Sequence, residues 1–597
     1  MSLLLLTGSV LAAPPAANGA LTVAESPDFA TVELRDPWDM SEFTDVSQYL
    51  NRSGQASYLQ NIQVQSGIFS ATSTGTKDAQ FFPLFPGYET AMLIGKVGEL
   101  FPIDPSGYRC LFIAMRVESG PAEIPGGPDQ FQVLWFSDER LQSGPWGQSV
   151  GIQLYPEAGG GQPTHSWRLY QADLVGDFLA GDGWNSQPAW RGLRVDPTLQ
   201  AGIDFQIDWV RFTDCSANSE PVTWSPPAGS YYVWLQPEGE SRQIRITDSA
   251  ISSPGSIDTQ GLAPGTYTVQ LGGPTGCCAG PAPSPSTLVV NQTPIANFVR
   301  PSPSSGEDYA TQAGNSWDFE DGTDVTQLVN VSAGFSNGVI NLQTNSAPLP
   351  NGSDPQIHLN LPQQIAAGSA YRYLSFRLST AGSLQNVPEG MITRWIWTIP
   401  GSGGGECHLV SQDMPFDVDW QTYWVDLIDA FNGSVEQNSG NCAGAPNSWS
   451  ASNSILRLRF DPNENALGTT MSQQLDWVKL SKVDRVSSGV PYMFQISLNK
   501  PPQDIQSFSY FYTLDPQSDP GTWTPASQYA PAPPPTPTGG STIFLPAVFR
   551  GFQGLGDGAT FQWDTNSVAL GEYYICVTLD DGLNRASFCS DAPLKVE

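Results

Sequence analysis

The chain reads as an all-β protein, a tandem A–B–A′–B′ of two pairs of β-sandwich domains. Three observations predict this. A short strand occurs twice, Ile207–Phe212 and Leu475–Leu480, each time closing a stretch of about 170 residues and followed by a smaller domain. Short β-branched and aromatic runs alternate with turns rich in Gly, Pro, Asn and Ser, the signature of sandwiches. No long apolar-periodic helix occurs, while 59 glycines, 51 prolines and 18 tryptophans are spread along the chain.

The repeat is ordered. Trp38 and Asp39 match Trp317 and Asp318; Tyr108 to Leu111 match Tyr371 to Leu374; Trp167, Tyr170 and Asp173 match Trp420, Tyr423 and Asp426. Trp184 matches Trp449, Leu193 to Pro197 match Leu458 to Pro462, and Asp208 to Val210 match Asp476 to Val478. The offset drifts only between 253 and 279 residues. In the smaller domains, Tyr231 to Leu235 match Tyr510 to Leu514, and Gly265 and Tyr267 match Gly571 and Tyr573 after 27 further residues. A Pro-rich excursion from Pro531 accounts for the difference.

In order, residues 1–20 form a leader: Ser2–Ala13 is apolar and small residues follow, as in the hydrophobic and cleavage regions of a secretory signal, although no positive stretch precedes it. Domain A is expected over 31–216, B over 217–294, a Pro/Ser/Gly linker over 295–315, A′ over 316–484 and B′ over 486–597, with an insertion at about 526–555. In A, Leu111, Ile113, Met115 and Val117 alternate toward one face, with Phe112 and Arg116 on the other. The inserted run Ile543, Phe544, Leu545, Val548 and Phe549 is apolar; it either folds onto its own domain or adds a strand to a neighbouring molecule.

Net charge narrows the function. A value of −32 argues against nucleic acid and against an anionic membrane surface. No other stretch reaches the ~18 apolar residues of a membrane span. Eight cysteines suit an oxidising compartment. Cys576 and Cys589 flank a turn at Asp580–Gly582 and fall opposite each other in a hairpin. Cys407 and Cys442 lie in two Gly/Ser-rich loops of A′ and are expected to pair, as are Cys110 and Cys215, the two cysteines of A. Cys277 and Cys278 are adjacent, leaving open a vicinal bond or a bridge between molecules. Zinc spacing is missing, and so are a Gly-x-Ser-x-Gly elbow, an HExxH helix and a phosphate-binding Gly loop. Carboxylate pairs are plentiful among 58 acidic residues and therefore carry no specificity for glycoside hydrolysis.

The segments Trp167 to Leu174, Leu193 to Pro197 and Ile207 to Phe212, with their twins in A′, resemble the galactose-binding-like jelly roll used by many carbohydrate-binding modules. The resemblance implies two jelly rolls that bind polysaccharide or glycoconjugate. Trp317 to Gly322 resembles the first strand of such modules, where an early acidic residue and the Asp of the last strand hold a structural calcium. That implies Glu320 and Asp476, with Asp318, in A′; in A, Ser41 stands where Glu320 would be, leaving Asp39 and Asp208. The strands from Gly265 and Gly571 look like immunoglobulin-like or fibronectin-type modules, which makes B and B′ spacers.

Tryptophan surroundings nominate the sugar contacts. Trp167, Trp209, Trp420 and Trp477 lie inside alternating strands and are expected in the core. Trp184 with Asn185, Trp190, and Trp449 with Asn447 sit among polar loop residues, where a ring face could stack on sugar and amides could bond hydroxyls. The leading expectation is an exported, non-catalytic glycan-binding protein of the cell surface or matrix. The competing one is a structural subunit of a fibre, sheath or surface layer, assembled through 543–549.

Overall fold

A computed structural model describes residues 19–526 and 558–597, except 43–44, 47–57, 75–78, 86–95, 99–100, 120–129, 138–144, 155–165, 275, 345–353, 367, 382–391, 412–413, 417–418, 429–430, 436–441, 443–447 and 464–469. The expected leader up to residue 18, the apolar run Ile543–Phe549 and Asn447 lie outside the described residues. The described chain is nearly all β, arranged in multiple sheets.

Domain A faces two sheets against each other. One orders the strands Leu59–Gln65, Ile68–Ser73, Asp204–Thr213, Cys110–Ser119 and Trp167–Asp173. The other includes Trp146–Ser149, Gln130–Phe136, Gly192–Asp196 and Phe81–Phe85. Leu111, Ile113, Met115 and Val117 point between them, packing with Phe69, Trp135, Val195 and Phe212. A′ repeats the plan. Its five-stranded sheet runs Val331–Ser336, Val339–Thr344, Ser472–Ser481, Tyr373–Ala381 and Asp419–Asp426.

The first strand of each smaller domain lies upstream of the larger one. Ala20–Ala24 pairs in parallel with Thr287–Asn291, Ala20 opposite Thr287, and Val23 enters the core around B. Ala296–Arg300 pairs antiparallel with Tyr492–Leu498, and Ile295, Ala296 and Phe298 are buried in the core of B′. A and A′ are therefore inserted after the first strands of the domains that follow them. This corrects the expected linker at 295–315. Its Pro/Ser cluster is a turn in which Ser302 N–H donates to Ser305 Oγ at 2.7 Å and Ser305 Oγ donates to Asp484 Oδ2 at 2.7 Å. A short helix follows, Tyr309–Gln312, with Tyr309 and Ala310 in the core of A′. Pro and Ser mark turns as readily as linkers, and composition alone does not separate the two.

A and B share one sheet. Ile244–Arg245 pairs in parallel with Trp167–Arg168 and joins them into eleven strands. In A′ the matching strand Asp419–Asp426 pairs, among the described residues, with Tyr373–Ala381 alone. Four disulfides are formed: Cys110–Cys215, Cys407–Cys442, Cys576–Cys589 and the adjacent Cys277–Cys278. None of the described helices is long and apolar enough to cross a membrane.

Candidate functional site

The loop tryptophans are not available to a ligand. Trp184 is 1% exposed, and Trp190 and Trp449 are 0% exposed. Trp184 Nε1 donates to Tyr108 O at 2.7 Å, and Trp449 Nε1 donates to the twin carbonyl of Tyr371 at 2.8 Å. Trp190 stacks on Trp184 at 5.9 Å between ring centroids and donates to its carbonyl at 2.6 Å. A polar loop can fold its one apolar ring inward as a cap, and here it does. The expected sugar contact through these three rings is thereby corrected; Asn185 alone of that described set is exposed. Trp395 and Trp397 are likewise fully buried. Arg194 and its twin Arg459 hold Asp196 and Asp461, Arg194 Nε to Asp196 Oδ1 at 2.6 Å.

The inherited calcium set does not gather either. Among the described residues, no three carboxylates bring oxygens within 4.8 Å of one another. Asp476 is held by Arg377 at 2.7 Å, and Asp318 and Glu320 are exposed. Asp208 is held by Arg242 of B at 2.7 Å. Burial outweighs that attraction and pushes its carboxyl up to about 7. Asp39 and Asp208 do line a cleft of about 260 Å³ between A and B, with Glu238, Glu240 and Arg242. Nearby, burial and then the charges of Asp36, Asp39 and Glu42 push the Asp45 carboxyl up to about 9.

The informative surface is the outer face of the five-stranded sheet, because the chain carries it twice. In A, register places Phe112 beside Gln171, and Ala114 between Leu169 and Trp209. In A′ the same positions hold Ser375 beside Trp424, and Arg377 between Thr422 and Trp477. Trp167 corresponds to Trp420, opposite Ser379. The A face is a domain boundary. Phe112, Ala114, Trp167, Leu169 and Trp209 pack with Val222, Val233, Leu235, Ile244 and Leu262 of B, and Trp209 Nε1 donates to Gly261 O at 2.9 Å.

Among the described residues no such cover lies on the A′ face. Trp424 is 43% exposed, Trp420 and Trp477 are half-buried, and Thr422 is exposed. The expectation that all four strand tryptophans are core therefore holds for Trp167 and Trp209, which lie between domains, and fails for Trp420 and Trp477. Arg377 lies over Trp420 at 4.8 Å and Lys479 over Trp477 at 5.3 Å. Trp424 meets Tyr373 edge-on at 6.0 Å. Gln474 donates to Asn341 at 2.8 Å on the next strand. The result is a row of indoles flanked by guanidinium, ammonium, hydroxyl and amide groups. Such a surface can stack on the apolar face of a sugar ring and bond its hydroxyls. Sequence reasoning missed it because Trp420 and Trp477 have the same local pattern as their buried twins. The available signal was the polar Ser375, Arg377 and Thr422 in place of Phe112, Ala114 and Leu169.

No protein-family model matches the chain, and the search of curated proteins returns no match.

Proposed function

We propose that the chain is an exported, non-catalytic protein that binds a polysaccharide through the outer sheet face of A′. One observation carries this reading. Three apolar residues of the A face are replaced in A′ by Ser375, Arg377 and Thr422, while both tryptophans are kept and Trp424 is added. A face built to receive a protein domain keeps its aliphatic and phenyl groups, as A does. A solvent-facing indole row on a polar sheet has no folding advantage, since its area stays partly wet. Carbohydrate recognition supplies the reason. The four disulfides fit an extracellular location. The resemblance of A and A′ to galactose-binding-like jelly rolls agrees with it, and B and B′ then act as scaffolds, B by covering the A face.

The test is affinity electrophoresis of the full chain through a panel of neutral and acidic polysaccharides, repeated with W420A/W424A/W477A. The reading expects retardation by at least one polymer and its loss in the triple variant. Retardation that survives the triple change, or none across the panel, overturns it.

A further inference from the structure

B and B′, which the sequence separates by the whole of A′, meet through three polar side chains. Asn291 ends the last strand of B, and Lys500 and Asp581 belong to B′. Lys500 Nζ donates to Asp581 Oδ2 and to Asn291 Oδ1, the latter at 3.2 Å. Asn291 Nδ2 donates to the same Asp581 Oδ2 at 2.9 Å. The Lys500 side chain is 10% exposed and that of Asp581 3%. Asp581 Oδ1 is taken up by the N–H groups of Leu583 at 2.9 Å and Asn584 at 2.7 Å, which leaves Oδ2 for the two side-chain nitrogens. Burial pushes the Asp581 carboxyl up, but bonds from Asn584 N–H, Lys500, Leu583 N–H and Asn291 together hold it below the usual carboxylate range. It is therefore a carboxylate, able to accept a proton.

The backbones on either side are fixed as well. Asn291 O accepts from Glu25 N–H at 3.1 Å and from Asn584 Nδ2 at 2.7 Å. Asn499, next to Lys500, accepts from Ile295 N–H at 2.7 Å and donates to Thr293 O at 3.0 Å. A salt bridge between domains needs only an amine and a carboxylate. The third group here is a carboxamide, whose carbonyl carbon is an electrophile carrying a nitrogen that can leave. Nζ is held against that carbonyl, and Oδ2 touches both the attacking and the departing nitrogen. Fixing the reactants in this way replaces an encounter in solution by an intramolecular step.

We propose that Lys500 Nζ and Asn291 Cγ join in an isopeptide bond that clamps B to B′, with Asp581 carrying the protons. Nζ passes a proton to Asp581 Oδ2, and its freed electron pair forms the Nζ–Cγ bond. Oδ2 then hands the proton to Nδ2, the Cγ–Nδ2 bond breaks and ammonia departs. The second proton that Nζ loses leaves with it as ammonium. Nothing is oxidised or reduced, and no co-reactant is consumed. The proton transfer is uphill, but a bond that forms once and expels its leaving group does not need to form fast. Its two residues are 209 positions apart, so the closed loop contains all of A′, and tension along the chain passes from B to B′ without loading that domain. The proposal is independent of the glycan reading.

The test is intact-mass spectrometry of the full chain, folded, incubated at neutral pH until its mass is constant and then reduced. Wild type is expected to be lighter by one ammonia than K500R once the substitution itself is subtracted. Protease fragments should include one that joins the Asn291 and Lys500 peptides. On a reducing, denaturing gel, wild type should migrate as a looped chain and K500R, which keeps the ion pair but not the nucleophile, as a linear one. D581A should stay linear; calorimetry checks that both variants fold. A wild type of full mass means that the three groups form hydrogen bonds only, and overturns the proposal. Loss of ammonia that persists in K500R overturns it too, and a D581A chain that closes as completely as wild type overturns the part given to Asp581.

Discussion

Truncating the twin tryptophans Trp209 and Trp477 to alanine should destabilise the chain very unequally. Trp209 is 3% exposed, so nearly the whole ring leaves water on folding. A tryptophan buries up to ~250 Å², which at about 25 cal/mol per Å² sets a ceiling near 6 kcal/mol. Partial collapse of the space left behind brings the expected loss to about 3–5 kcal/mol. The Gly261 carbonyl also loses its donor, adding about 1 kcal/mol. Trp477 is half-buried and covered by the Lys479 chain rather than by a domain, so W477A should remove only about 1–2 kcal/mol. The assay is urea unfolding of the full chain with the transitions resolved by calorimetry, because four domains need not melt together. W209A should lower the transition shared by A and B, while W477A should leave that transition in place. Equal losses, or a larger loss in W477A, would refute the reasoning that one face is a domain boundary and the other a solvent face.

Further outcomes follow from the same geometry. The Asp208 carboxyl sits well above its unfolded value, so the folded state binds its proton more tightly; the stability penalty is present above about pH 7 and relieved as pH falls toward 4. The melting temperature of the A–B unit should therefore rise on going from pH 8 to pH 5, and D208N should flatten that slope. Among the disulfides, the chain-entropy account ranks Cys110–Cys215, spanning 105 residues, at about 4.7 kcal/mol and Cys576–Cys589, spanning 13, at about 3 kcal/mol. Paired alanine variants should lose stability in that order. Asp308 caps its helix through Thr311 N–H at 2.9 Å and holds Leu480 N–H of the last strand at 2.9 Å. D308A should lower the A′ transition by about 3 kcal/mol, as two charge-assisted bonds would require.

Much of the architecture was legible in the residues, because a duplicated sequence marks its own domains and period-two alternation marks inward faces. Leu111 to Val117 point where their spacing says. Cys576 and Cys589 pair across the hairpin that their turn implies. The strands Ala20–Ala24 and Ala296–Arg300 were not legible, since their partners lie more than 190 residues away and nothing local names them. The site was hardest. Trp209 and Trp477 share the same flanking Asp and Val, and what separates them among the described residues is a neighbouring domain that covers the first and not the second. Polarity in loops misled in the opposite direction. Trp184 and Trp449 are surrounded by hydrophilic residues, yet each finds a carbonyl for its Nε1 and a core for its ring.

Oxidative footprinting of individual tryptophans in the full chain, read by mass spectrometry, tests the central claim most directly. In the free protein, Trp424 should label fastest, Trp420 and Trp477 more slowly, and Trp167, Trp209, Trp184 and Trp449 hardly at all. With the polysaccharide selected by the binding panel, protection should fall on Trp424, Trp420 and Trp477. Protection elsewhere, or a Trp424 as inert as Trp209, would contradict the account.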